Sequence, residues 1–544
     1  VWGYVMDICA VEESPDTDII VLWAFEEGEG GLIRMSQDGE VRWKQHLDWW
    51  MKASQMAVAC DGRFVYIAGA SALNAPEGQT SYGGEWRRPL LWRVDAATGA
   101  KAPFPGTNQQ EQRMFGEYRR QDRIVTDVAV REGRVYLAAP AQNKIFVADA
   151  RDGMKLESWD IPGASGIAFG ADGFIVGSGS KLMKVAGDGS VGRVIADTGG
   201  EIWDVETSSD GTIVASVGVP RHQVVYFSGN GKEIKALGAR GGRPLCGKMV
   251  KTSFRDPAGI CLISSGRIFA AERAAPKRFT RWSADGVLER EFHGPYYYSG
   301  MFGIDDDEPE WVYGDTHGDI IRYRVDYNTG KWDVDSYWIG VYNATDHSSQ
   351  QGAVPVKWWP RIRRKDGRIW WCSGSGGIVE LMEDGFRPVA AVWGGWVEPD
   401  PEKGYRPVLH TKKTGLKGTW SDLNGDGRIQ PEEWQVTSEP SYPINGGGPQ
   451  QGWGAYFDEH FDLYMHDWSD GQEGGVWKIP VAEWRNNAPV YRWEMAVHVG
   501  LPLGHGLQHG ASGARTAFAS QGRAYAFNGG YNAANLPGVG HGHD

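Results

Sequence analysis

Short apolar runs separated by Asp-Gly and lone Gly turns, with two such turn series interleaved along the chain, predict an all-β protein: a β-propeller of four-stranded blades. Residues 166–195 give the clearest unit. Apolar alternation over 166–169 is broken by Ala171-Asp172-Gly173, apolar runs follow at 174–176 and 182–185, and Asp188-Gly189 turns the chain into 191–195. Asp-Gly marks a hairpin because Gly takes positive φ at little cost and Asp hydrogen-bonds its own backbone. Four antiparallel strands in about 30 residues make one blade.

The units recur in order. First-hairpin turns fall at Gly133, Gly173, Gly211, Gly266 and Gly367, and second-hairpin turns at Gly153, Gly189, Gly231, Gly286, Gly330 and Gly385. Within unbroken stretches successive turns lie about 36 to 55 residues apart, the spacing of four-stranded blades. A sandwich would show turns without keeping two series in step. Eight blades is the preferred count within a range of seven to ten, in a single propeller over 1–544. The last unit, at 515–527, looks incomplete, and residues 1–10 are strand-like and suited to supply its missing strand, removing an open sheet edge. Residues 481–487 read as one or two helical turns. Residues 394–448 interrupt the array with Pro, Gly and charge.

Composition narrows the partners. With 56 Lys and Arg against 69 Asp and Glu, the net charge of -13 opposes general affinity for nucleic acid. No run of about 18 apolar residues suggests a membrane-inserted helix. The 76 Gly and 26 Trp suit tight turns with large side chains between sheets. Five cysteines without a C-x-x-C pair indicate neither a zinc nor a redox motif. A Cys246–Cys261 disulfide is one option that spacing leaves open.

The sharpest motif lies inside 394–448. Asp422, Asn424, Asp426, Gly427 and Glu433 fit the pattern D-x-[DN]-x-[DN]-G-x5-E. Ca²⁺ takes several hard oxygen ligands, which alternate positions of a tight loop direct inward. Asp422, Asn424 and Asp426 supply side-chain oxygens, Arg428 its carbonyl, Gln430 a direct or water-mediated contact, and Glu433 a closing bidentate carboxylate. Ile429 is placed to anchor the loop. These dozen residues resemble EF-hand-like and dockerin-like calcium loops, and the absence of a second loop favours a structural clip over a paired sensor. Extracellular calcium would fill even a weak site, so the expected location is secreted, periplasmic or cell-surface.

The repeats carry a resemblance of their own. Asp95-Ala-Ala-Thr98-Gly99, Asp149-Ala-Arg-Asp-Gly153 and Asp326-Tyr-Asn-Thr329-Gly330-Lys331-Trp332 resemble the repeat turn of quinoprotein-like blades. The array is similar to NHL-type and quinoprotein-like propellers of exported bacterial proteins. That resemblance implies carbohydrate-active enzymes and non-catalytic binders alike. Without an adjacent Cys pair or a C-x-x-C-H site, a quinone-linked oxidoreductase is disfavoured.

Candidate chemistry gathers where the repeat breaks. His293 stands beside Tyr296, Tyr297 and Tyr298; His317 lies between Asp315 and Asp319; Arg361, Arg363 and Arg364 form a basic run. A polysaccharide lyase needs a base, a proton donor and a cation on the uronate carboxylate, roles that His293, Tyr297, His317 and Arg361 would fill. Asp315 with Asp319, or Asp305–Asp307 with Glu308, offer carboxylates for glycoside hydrolysis. Trp49, Trp50, Trp358, Trp359, Trp370, Trp371, Trp393 and Trp396 include candidates for stacking on sugar rings. The expected function is a calcium-binding propeller acting on carbohydrate, as lyase or hydrolase of an acidic polysaccharide. The alternative is a non-catalytic carbohydrate- or protein-binding scaffold.

Overall fold

The computed structural model describes residues 4–12, 17–24, 30–47, 57–71, 86–106, 113–117, 119–120, 124–293, 302–315, 319–341, 360–394, 397–407, 414–439, 455–466, 476–498, 514–519 and 523–528. They are nearly all β, arranged in antiparallel sheets of which several have four strands. The chain divides into two compact units. The first holds Val1–Arg243 and Val250–Tyr297, and the second Pro244–Met249 and Tyr298–Asp544.

In the first unit six sheets follow one another. Their first strands are Tyr4–Glu12, Ala57–Cys60, Asp127–Arg131, Ala164–Gly170, Ile202–Thr207 and Pro257–Leu262. Each first strand lies against the next, and Pro257–Leu262 lies against Tyr4–Glu12. Inner strands are apolar on both faces because each sheet packs between two others; Ile213–Val217 and Gln223–Phe227 are buried throughout. Fourth strands meet solvent, so Val191 and Val194 of Val191–Asp197 stand exposed.

The glycine turns also join sheets. At Gly189 (φ +83°) a Cβ would run into the Trp159 indole from the outer strand of the preceding sheet. At Gly39 (φ +88°) a Cβ would come 3.0 Å from Phe292 of the sixth sheet. Arg281 of that sheet adds an ion pair to Asp38 at 2.9 Å and donates to the Gln37 carbonyl at 2.7 Å. Thus the sixth sheet meets the first. Asp95 shows why Asp-x-x-Thr-Gly turns recur: its Oδ1 accepts from the Thr98 N–H at 2.9 Å and the Thr98 hydroxyl at 2.8 Å, ahead of Gly99 at φ +71°.

In the second unit, Cys246–Lys248 pairs with Lys331–Trp338 as the edge of a five-stranded sheet. A six-stranded sheet runs from Arg361–Lys365 through Phe386–Trp393 to Lys417–Ser421 and Trp434–Thr437. The interruption at 394–448 therefore contributes strands to a sheet, and the proposed calcium loop is the connection between the last two.

Three sequence expectations change. Tyr4–Glu12 pairs with Thr17–Ala24 in the first sheet and does not complete a terminal unit; Ala514–Ala519 and Arg523–Asn528 pair with each other. Val481–Arg485 is a strand paired with Ala488–Tyr491, because Asn486 and Asn487 at φ 45° and 60° make a two-residue hairpin turn. All five cysteines are free, and Cys246 and Cys261 belong to different units.

Replacing Gly189 by Ala should cost about 2–3 kcal/mol, combining positive-φ strain with displacement of Trp159. Urea unfolding checks this, and Gly211→Ala, where the added Cβ meets nothing within 4 Å, should cost about 1 kcal/mol.

Candidate functional site

The six first strands of the first unit surround a cavity of 700 Å³. Its most unusual residues are three aspartates sitting in apolar strand sequences: Asp7-Ile8, Asp127-Val128 and Asp204-Val205. Each is about 95% buried, at 5%, 5% and 6% exposure. A buried carboxyl needs partners, and the partners here are backbone amides of two sheets. Asp7 accepts from Ile8 at 2.8 Å and from Val58 of the second sheet at 2.7 Å. Asp127 accepts from Val128 and from Ile167 of the fourth sheet, both at 2.6 Å. Asp204 accepts from Ile260 of the sixth sheet at 2.7 Å and from the Val205 amide. Carboxyls thus strap alternate junctions: first to second, third to fourth, fifth to sixth.

Other groups serve the junctions between. The Ser165 hydroxyl donates to the Ile202 carbonyl at 2.8 Å, the Tyr66 hydroxyl reaches the Ala150 carbonyl at 3.3 Å, and Ser264 donates its N–H to Glu12 at 2.8 Å.

Burial raises the proton affinity of the strap carboxyls. Burial, then the Asp204 charge, pushes Asp7 well above the usual carboxyl range. Burial, Asp204 and Asp7 do the same to Asp127, and burial with Asp204 raises Glu206. Asp204 is raised by burial to about 6, moderated by the amides of Ile260 and Val205 and by a hydrogen bond with the Asp127 carboxyl. Two carboxyls hydrogen-bonded to each other share a proton, because both cannot ionise at contact. Such a lining offers O–H donors and carbonyl acceptors together.

Of the four lyase residues, His293 and Arg361 are described, one in each unit. His293 ends the strand Leu288–His293 with its side chain 8% exposed, and its Nε2 lies 3.7 Å from Glu291. Glu291 also takes an ion pair from the fully buried Arg278, whose Nε meets Glu272 at 2.5 Å. Burial opposes ionisation of Glu291, but hydrogen bonding with His293 and the Arg278 charge hold it down at about 2. His293 is therefore part of a buried charge network. Tyr297 and His317 lie outside the described residues. Arg361 is exposed in the second unit, its guanidinium 5.2 Å from the Tyr456 ring. Its neighbours are engaged: Arg363 pairs with Asp306 at 2.7 Å, and Arg364 with Asp305 at 2.8 Å and Glu308 at 2.9 Å. The acidic turn 305–308 is a partner for arginines. Asp319 accepts the Gly340 N–H at 2.7 Å.

Trp370, Trp371 and Trp393 are buried. Adjacent Trp370 and Trp371 point to opposite faces, and both faces carry a core, so alternation exposes neither. Trp49, Trp50, Trp358, Trp359 and Trp396 lie outside the described residues.

In the loop at 422–433, Asp422 accepts the N–H groups of Gly425 at 2.8 Å and Gly427 at 3.0 Å. Asn424 and Asp426 accept from Asp426 and Arg428 at 2.9 and 2.8 Å. Gln430 bridges Asn424 and Asp426, each at 2.7 Å. Glu433 accepts from the Leu423 N–H at 2.9 Å and the Trp420 indole at 2.8 Å, and Ile429 packs against the core. Burial raises both Asp422 and Glu433. The donor set fits a hard cation. Among the described residues, though, no three His, Cys, Asp or Glu side chains converge as a metal site, and Arg387 stands 3.6 Å from Asp422.

Sequence reading passed over the axial aspartates. Their signal was an Asp before a β-branched residue inside an apolar run, recurring in every second unit. Residues 166–195, read as scaffold, supply the Ile167 amide that binds Asp127.

No family model matches the chain, and no curated protein does. Among solved structures, a "putative 6-phosphogluconolactonase" from Bacteroides uniformis ATCC 8492 is 13% identical over 56% of this chain and 90% of that one, with a TM-score of 0.33. Hydrazine synthase of Kuenenia stuttgartiensis is 8% identical over 48% of this chain and 77% of that one, with a TM-score of 0.26. Neither likeness is strong enough to inform function. Among the described residues no helix is long and apolar enough to cross a membrane.

Asp127→Ala should destabilise the protein by about 2–4 kcal/mol, because the buried Ile167 N–H loses its acceptor and a cavity opens. Slowed exchange of that amide in the wild type and its loss in the variant would check the assignment by hydrogen exchange.

Proposed function

We propose that the first unit is a six-bladed propeller whose axial cavity binds a neutral, hydroxyl-rich small molecule of carbohydrate type without cleaving it. This replaces a single eight-bladed ring over 1–544 with a smaller ring and a separate β unit. The observation that carries the reading is the cavity itself, lined by carboxyls whose proton affinity burial has raised and which, when protonated, donate as well as accept hydrogen bonds. Hydroxyl groups match such a lining, since each can donate to a carbonyl oxygen and accept from a carboxyl O–H.

Catalysis is the weaker reading. His293 is committed to Glu291, which leaves a lyase without the base assigned to it. Asp127 and Asp204 touch, whereas carboxyls that cleave a glycosidic bond stand roughly 5–9 Å apart. The calcium loop enters as a clip: bound Ca²⁺, held by Asp422, Asn424, Asp426, Gln430, Glu433 and the Arg428 carbonyl, would fix the last two strands of the six-stranded sheet. An exported location follows from that clip. The NHL-type and quinoprotein-like resemblance remains a proposal on the same footing.

Titration calorimetry with a panel of neutral oligosaccharides should show saturable binding. Glu206→Gln, which alters a cavity carboxyl outside the straps, should weaken it about tenfold, the loss of one hydrogen bond. Polyuronate should give no new absorbance near about 235 nm. Cleavage of any glycan would restore the enzyme, and absence of saturable binding would remove the ligand class.

Chelation should lower the melting temperature of the wild type but not of Asp422→Ala/Glu433→Ala. Because Ca²⁺ competes with protons on carboxyls whose affinity for protons burial has raised, its stabilising effect should be larger at pH 7.5 than at pH 5.5. An unchanged chelator response in the double variant would remove the site.

A further inference from the structure

We propose that Asp7, Asp127 and Asp204 form a proton latch: protonated they hold alternate sheet junctions of the first unit closed, and ionised they loosen the cavity wall. The inference rests on the ring reading above and adds the control of its site.

The geometry places three carboxyls on one cavity, each bridging a different pair of first strands, with the amides of Ile8, Val58, Val128, Ile167 and Ile260 at 2.6 to 2.8 Å. Asp127 and Asp204 are hydrogen-bonded to each other. Ionising the pair removes the O–H donor between them and sets two charges in contact. A charged oxygen binds its amides more strongly, but that gain is smaller than the cost of burial and repulsion, since the folded state holds these protons more tightly than an unfolded chain would. Ionisation must then weaken the closed form.

The surroundings reinforce this. Cavity-lining groups are Cys9 and Glu12 on the first strand of sheet one, Cys60 and Asp61 at sheet two, Arg131 at sheet three, Glu206 at sheet five and Cys261 at sheet six; the lining stretch of sheet four carries no titratable side chain. The sole guanidinium among them sits 5.3 Å from the Phe169 ring and 3.1 Å from Glu132. The largest influences on the straps are burial, neighbouring carboxyls and backbone amides.

The sign follows. Strap carboxyls raised above their unfolded values stabilise the closed ring fully below the ordinary carboxyl range near about 4. That stability fades as pH rises through about 6 for Asp204 and through the raised ranges of Asp7 and Asp127.

Hydrogen exchange of the full chain without ligand tests the latch at the strap amides Val58, Ile167 and Ile260. After correction for intrinsic rates, protection should fall at least about tenfold between pH 5.5 and 8. In Asp204→Asn, which cannot ionise and keeps one acceptor, the fall should shrink to less than about threefold. Should that variant fail to fold, infrared titration of the wild type replaces it: a protonated-carboxyl carbonyl band should be present at pH 6 and lose intensity as pH rises to about 8. Protection that is equal or greater at pH 8, or absence of the band at pH 6, would overturn the latch. Failure of saccharide binding with the exchange change intact would instead remove only the ligand reading.

Discussion

The first unit depends on a carboxyl oxygen that accepts the amide proton of a neighbouring sheet. Backbone hydrogen bonds saturate within each antiparallel sheet, but the first strand is an edge, with N–H groups facing the next sheet and no strand to pair with. Buried donors of that kind are costly unless met. Asp7, Asp127 and Asp204 meet them at Val58, Ile167 and Ile260. Apolar packing alone would hold six sheets together without fixing their register at the axis. The straps fix it, and the cavity they border is the consequence of six first strands that cannot approach further.

The outer frame uses different physics. Side chains of outer strands cover the turn glycines of the following sheet, as Trp159 covers Gly189 and Phe292 comes against Gly39. Where the axis relies on directional hydrogen bonds, the rim relies on aromatic area and on the room that a missing Cβ leaves. The Asp-x-x-Thr-Gly turns serve both needs. Asp95 holds the backbone, and Gly99 leaves space beneath Trp43, whose indole donates to the Ala96 carbonyl at 3.0 Å.

This division explains what was legible in the chain. Turn glycines announce themselves because backbone geometry demands them locally, so Gly173, Gly189, Gly211 and Gly231 mark strands wherever they occur. The limits of a ring are not local: nothing in Tyr4–Glu12 says that its partner across the junction is Pro257–Leu262 rather than a strand near residue 520. Adjacent Trp370 and Trp371 suggested exposure through alternation, yet a sheet with cores on both faces has no solvent side. Asn486-Asn487 hid a hairpin because positive φ at two Asn residues is rarer than Asn-Gly. The axial aspartates were readable as polar residues in apolar strands, but three isolated acids spread over nearly 200 positions do not look like one site until the sheets close.

Buried acids in the first unit fall into two kinds, and the difference lies in what faces them. Glu291, in an outer strand with His293 and facing Arg278 of the adjacent strand, is held near 2. Asp7, Asp127, Asp204 and Glu206 face amides and one another, and all are raised. A guanidinium at the axis would have stabilised the charged straps and silenced them, as Arg278 silences Glu291. Amide partners leave them able to titrate. On the proposed latch, proton exchange would act on the cavity wall while the Arg278 network stays fixed. A site built from carboxyls of raised proton affinity would favour hydroxyl-bearing ligands by the same property that makes it sensitive to pH, so the proposed ligand preference and proton control have one physical origin.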